Sequence, residues 1–117
     1  IAAEDIGRSA YAIFKAGPEY VGKTLGIAGE HLTGQEMADA MSKAFGEPVN
    51  YNAVPFDVYR GFGFPGADDL GNMFQFKHDF EEDFRGARSI EVSRMLNPGL
   101  QSFDNWLEQN SGCIPME

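Results

Sequence analysis

Residues 24–54 read TLGIAGEHLTGQEMADAMSKAFGEPVNYNAV, and the order of signals inside this stretch decides the expected class of fold. At its centre, Thr33 and Glu36 form T-x-x-E, the pattern of a capping box in which each side chain satisfies the other residue's main-chain amide. Behind the box, Met37, Ala38, Met41, Ala44 and Phe45 keep one apolar stripe at helical spacing, and Gly46 ends it. Either side of this helix the texture is different. Thr24–Gly29 is short, apolar and rich in small residues, and reads as a strand. After Pro48, Val49, Tyr51 and Ala53 alternate with Asn50 and Asn52 up to Val54, the period of a half-buried strand. Strand, helix, strand predicts an α+β fold, with several short helices packed on a small two- to three-stranded sheet.

Upstream, Asp5 to Lys15 reads as a helix. Asp5 is placed to cap its first turn, and Ile6, Ala10, Ile13 and Phe14 share a face. Ala16-Gly17-Pro18 stops it. Downstream, Pro55 suits a first helical position, with Phe56, Tyr59 and Phe62 on one face of a short helix. GFGFPG (61–66) interrupts, and Ala67–Phe76 forms the next helix, with Asp68 and Asp69 near its positive end. Seven of the ten phenylalanines lie between Phe56 and Phe84, so this segment is expected to bury rings. DFEED (79–83) reads as a solvated acidic face. Ile90–Leu96 fits helix or strand equally well. Asn97-Pro98-Gly99 is a turn, and Ser102 caps a closing helix carrying Phe103, Trp106 and Leu107.

The 117 residues suit one domain spanning 1–117. Nine basic residues stand against eighteen acidic ones, for a formal net charge of −9. That argues against a binder of nucleic-acid backbones, which needs clustered Lys and Arg. No apolar run approaches the roughly 20 residues of a membrane span. The single cysteine, Cys113, excludes an internal disulfide and fits a reducing, cytoplasmic setting. The chain opens on Ile1 rather than Met, as a fragment or a processed product would.

Three literal motifs are rejected by their context. Gly17–Thr24 (GPEYVGKT) spells a phosphate loop, but such a loop follows a strand and opens a helix, whereas here a helix precedes. Pro18 also lacks an amide to donate. Gly61, Gly63 and Gly66 satisfy G-x-G-x-x-G without the strand that should precede it. Tyr11 and Lys15 share the Y-x-x-x-K spacing of short-chain dehydrogenases but read as solvent-facing. His31 and His78 have no close partners at zinc-ligand spacing. No residue is therefore put forward as catalytic, cofactor-binding or metal-ligating.

The runs AEDIGRSAYAIFK, YVGKTLGIAGEHLTGQEMADAMSKAFGEPVNY, YRGFGFPGADDLGNMFQF and LNPGLQSFDNWLEQN, taken in order, resemble the C-terminal half of NmrA-like proteins. These are atypical short-chain dehydrogenase relatives that include NADP(H)-sensing regulators. The resemblance runs from Ala3 to about Asn110 and is most specific in GFPGADDLGNMF (63–74) and in Leu96–Leu107. It implies a truncated chain that lacks the family's N-terminal Rossmann domain, with NAD(P) as the cofactor of the full-length homologue. It also implies a cleft or partner wall at Phe64, Pro65, Asp69, Asn72 and Met73. The expected function is the substrate- or partner-binding portion of a redox-sensing or regulatory protein, not catalytic on its own. The alternatives are part of an NAD(P)H-dependent quinone or carbonyl reductase, and a stand-alone self-associating module. A homodimer, or docking on the missing Rossmann domain, is expected to cover the rings of 56–84 and the small-residue segment Thr24–Gly29. A regulatory protein partner is also foreseen.

Overall fold

A computed structural model describes residues 1–115. In chain order its helices are α1 (Ala3–Ala16), α2 (Gly34–Phe45), α3 (Phe56–Arg60), α4 (Ala67–Asp79), α5 (Glu81–Gly86), α6 (Ile90–Leu96) and α7 (Phe103–Asn110). Single 3-10 turns follow α1 at Gly17–Tyr20 and α7 at Ser111–Cys113. The chain divides into two compact units. One is built from residues 1–51 and from Arg88 onward, the other from Asn52–Ala87.

In the first unit α1 packs on α6, and α2 on α7. Leu107, Leu96, Ala38 and Ala28 are its buried apolar side chains. They share the interior with Asp5, Ser9, Ser93 and Asn97, all buried as well. Its helices start where local chemistry places them. Thr33 accepts from the Glu36 N–H at 3.2 Å while the Glu36 carboxylate accepts from the Thr33 N–H at 2.7 Å, closing the expected capping box. Ser89 and Ser102 cap α6 and α7, accepting from the amides of Val92 and Asn105. Gly46 takes the left-handed conformation that ends α2, at φ 71°.

In the second unit α3 lies against α4, and α5 follows α4 directly. Ala67 and Gly71 are the buried positions on α4. The Arg60 guanidinium donates to Gln75 Oε1 at 2.8 Å and Asn72 Oδ1 at 3.3 Å, tying α3 to α4. Tyr59 gathers Phe62, Phe64 and Phe74 around its ring, with centroids 5.2–5.9 Å away.

Three expectations are corrected. The α+β class is wrong: among the described residues there is no strand and no sheet, and Thr24–Gly29 and Val49–Val54 run without a ladder. A strand needs a partner edge for its main-chain groups, and here helix hydroxyls take that role. The Ala28 N–H donates to Ser93 Oγ at 3.0 Å and the Val49 N–H to Ser42 Oγ at 2.8 Å. Asp5 is not the cap of α1, because the helix begins two residues earlier and Asp5 turns inward. The inward face of α1 accordingly carries Asp5 and Ser9, while Ile6 and Phe14 are exposed. Within the chain the phenylalanines of 56–84 are only partly covered, with Phe62, Phe64, Phe74, Phe76 and Phe80 all exposed. Thirteen- and five-residue helices offer too little facing surface to enclose so many rings. Ile90–Leu96, ambiguous in sequence, is helical, and the acidic run 79–83 is solvated as expected.

Candidate functional site

A half-open cavity of about 510 Å³ lies in the first unit. Its walls come from three separated stretches: the start of α1, the segment from Gly29 into α2, and the segment from Gln101 along α7. Leu32, Met37, Phe103 and Trp106 supply its apolar surface, and Glu4, Glu30, Gln101, Ser102 and Asn110 its polar groups. The capping box at Thr33 fixes where α2 begins, and so places Met37 on the cavity wall one turn later.

Most of the polar groups are already oriented by the fold. The Glu30 carboxylate accepts from the Phe103 N–H at 2.7 Å, at the positive end of α7. The Asn110 amide donates to the Trp106 carbonyl at 2.8 Å. Gln101 donates to Asp5 Oδ2 through its main-chain N–H at 3.0 Å and more weakly through its side chain at 3.4 Å. Behind the wall, the Asn97 amide donates to Asp5 Oδ1 at 2.8 Å, and Arg8 lies 3.2 Å from the same oxygen. Burial by itself opposes charge on Asp5. The Gln101 N–H, the Asn97 amide and Arg8 together outweigh it and hold the carboxyl below its ordinary value of 3.8.

The residues put forward from sequence lie in the second unit and do not line this cavity. Phe64 packs edge-on against Tyr59, Pro65 and Asp69 are exposed, Asn72 receives Arg60, and Met73 is exposed on α4. The phosphate-loop look-alike folds as the 3-10 turn Gly17–Tyr20, and the Lys23 ammonium sits 5.8 Å from the Tyr20 ring centre. The Gly61–Gly66 pattern joins two helices, with Gly63 and Gly66 at positive φ. Tyr11 is 67% exposed, so Y-x-x-x-K faces solvent.

His31 Nε2 lies 2.9 Å from the Arg88 carbonyl, which occupies that nitrogen. His78 is bonded to Asp79 at 2.9 Å and edge-on to Phe56. The His78 hydrogen bond, helped by the Gln75 amide, holds the Asp79 carboxyl below its usual range. No group of three or more metal-ligating side chains occurs among the described residues. Cys113 is exposed.

Sequence reasoning missed Glu30 and Gln101. Ser102, Phe103 and Trp106, read as a capped closing helix, and Met37, read on the stripe of the boxed helix, were named from sequence without being joined into a site. Among the described residues no helix is long and apolar enough to cross a membrane.

Fold and cavity together define a helical module with a small-molecule-sized recess bordered by the first turns of α1 and α2 and by α7. Residues 1–107 match the NmrA-like family, and the chain belongs to that family, which is typically NAD(P)-binding.

Proposed function

We propose that this chain is the substrate- or partner-binding portion of an NmrA-like NAD(P)-binding protein with a redox-sensing or regulatory role, without a catalytic step of its own. The observation that supports this reading is the cavity of the first unit. Its volume of about 510 Å³ falls within the roughly 300–1,000 Å³ typical of small-molecule sites, and its mixture of rings and oriented amides is typical of them too. In this reading NAD(P) is held by a dinucleotide-binding domain of a longer protein. Phe64, Pro65, Asp69, Asn72 and Met73, all exposed, then serve a partner or the wall of a shared cleft.

Trp106, the only tryptophan, stands on the cavity wall and reports its occupancy. Titration with a small quinone is expected to quench Trp106 fluorescence saturably, and the Met37→Glu variant is expected to lose that response. Calorimetry with NADPH and NADH should detect no binding to this chain. Saturable dinucleotide binding, or NAD(P)H oxidation when a quinone is added, would replace this reading with that of a quinone or carbonyl reductase.

A further inference from the structure

One face of α1 has no use within the unit that contains it. Asp5 and Ser9 occupy the inward face. On the opposite face, at i, i+4 and i+7, stand Gly7, Tyr11 and Phe14, continued toward the N-terminus by Ala3. Phe14 is 82% exposed and Tyr11 67%, the first being the most exposed large apolar side chain described. Gly7 is the anomaly. A glycine inside a helix costs about 1 kcal/mol relative to alanine, yet a Cβ placed on Gly7 would meet no atom within 4 Å. Nothing in the fold requires glycine there. An element that approaches the helix closely from outside would.

We propose that this face pairs with the same face of a second copy, as an antiparallel two-fold helix pair in which each Phe14 ring seats on the other copy's Gly7. The charges favour this occupant. α1 carries Glu4 and Asp5 in its first turn, then Arg8 and Lys15, so it is a neutral patch on a chain of net charge −9. Antiparallel pairing that sets position 7 against position 14 also brings Glu4 of each copy within side-chain reach of Lys15 of the other. A two-fold contact makes both ion pairs at once and closes the assembly. The phenylalanine-rich second unit is a poorer self-partner. Its residues 52–87 carry seven acidic side chains against three basic ones, a net charge that a second copy would meet with the same sign. The missing Cβ of Gly7 lets the helix axes approach to about 8 Å, the close end of helix packing. Two rings from each copy cover on the order of 600–1,000 Å², below the roughly 1,200 Å² of stable interfaces and in the range of weak, reversible ones, so the expected affinity is micromolar.

Sedimentation equilibrium of the chain between about 1 and 200 µM tests this. The expected result is a reversible shift from 12.9 kDa toward twice that mass. Gly7→Leu fills the notch while improving helix propensity, and is expected to weaken dimerisation at least about tenfold with helical circular dichroism undiminished. Glu4→Lys and Lys15→Glu should each weaken it, and the double exchange should restore it. A monomer throughout the range would overturn the proposal, as would a dimer that survives Gly7→Leu and Phe14→Glu. Dimerisation that the double charge exchange fails to restore would refute the antiparallel register.

Discussion

Asp5 and Asn97 lie 92 positions apart and meet through a 2.8 Å hydrogen bond from the Asn97 amide to Asp5 Oδ1. Both are buried, Asp5 completely. The contact ties α1 to the turn after α6, and the same turn is organised by Asn97 Oδ1 accepting from the Gly99 N–H at 3.1 Å. One asparagine therefore shapes its own turn and clamps it to a distant helix. The other Asp5 oxygen takes the Gln101 N–H, at the edge of the cavity.

Asp5→Ala should lower stability by about 1–3 kcal/mol, because it leaves the buried Asn97 amide and the half-buried Gln101 N–H without their acceptor. Urea denaturation measures this. A midpoint within error of the wild type would show that water replaces the carboxylate without cost.

The same carboxylate predicts an acid limb in the stability profile. Its folded pKa lies below the ordinary 3.8, so the unfolded chain binds its proton more readily. The stabilisation is complete above the unfolded value near 3.9 and is lost as pH falls through the folded value. Denaturation midpoints from pH 6 to 2.5 should drop more steeply for the wild type than for Asp5→Asn. Parallel profiles would contradict the depressed pKa.

Thr33→Ala should cost about 0.5–2 kcal/mol, since it removes the acceptor for the Glu36 amide and breaks the reciprocal box. Thr33→Ser keeps the acceptor and should recover most of the loss. An alanine variant as stable as the parent would mean that water caps α2 equally well.

What was legible in the sequence was local. The Thr33–Glu36 box, the Ser102 cap, the Gly46 stop and the Asn97–Gly99 turn each form within about four residues, so residue order alone specifies them. The misread segments depended on partners far along the chain. Val49–Val54 alternates like a strand, but alternation says which side chains share a face and not what the main chain pairs with. Its first amide found the Ser42 hydroxyl. Asp5 looked like a cap because its acceptors suit a first turn, while its actual donors come from Asn97 and Gln101. The cavity was illegible for the same reason, since its walls assemble from the chain's start, Gly29–Met37 and Gln101–Asn110. The family resemblance did carry across this gap, because it rests on residue order over nearly the whole chain.

Gly71 carries the last prediction. It is buried on α4, facing α3. A Cβ there would stand 2.5 Å from Arg60 Cγ and 3.4 Å from the Phe56 carbonyl oxygen. The clash is with the middle of the arginine stem rather than its free end, and the guanidinium is held by Gln75 and Asn72, so Arg60 cannot yield without losing those bonds. Alanine would gain up to about 1 kcal/mol of helix propensity in partial compensation. Valine adds bulk and a branched Cβ that the helix disfavours. Gly71→Val should therefore destabilise the second unit by about 1–3 kcal/mol, the usual penalty for overpacking. Gly86→Ala is the control, because a Cβ at Gly86 meets nothing within 4 Å, and it should be neutral or slightly stabilising. Thermal melts of the two variants beside the parent decide the matter. A Gly71→Val protein that melts no lower than the parent would mean that α3 is not packed on α4 through this glycine.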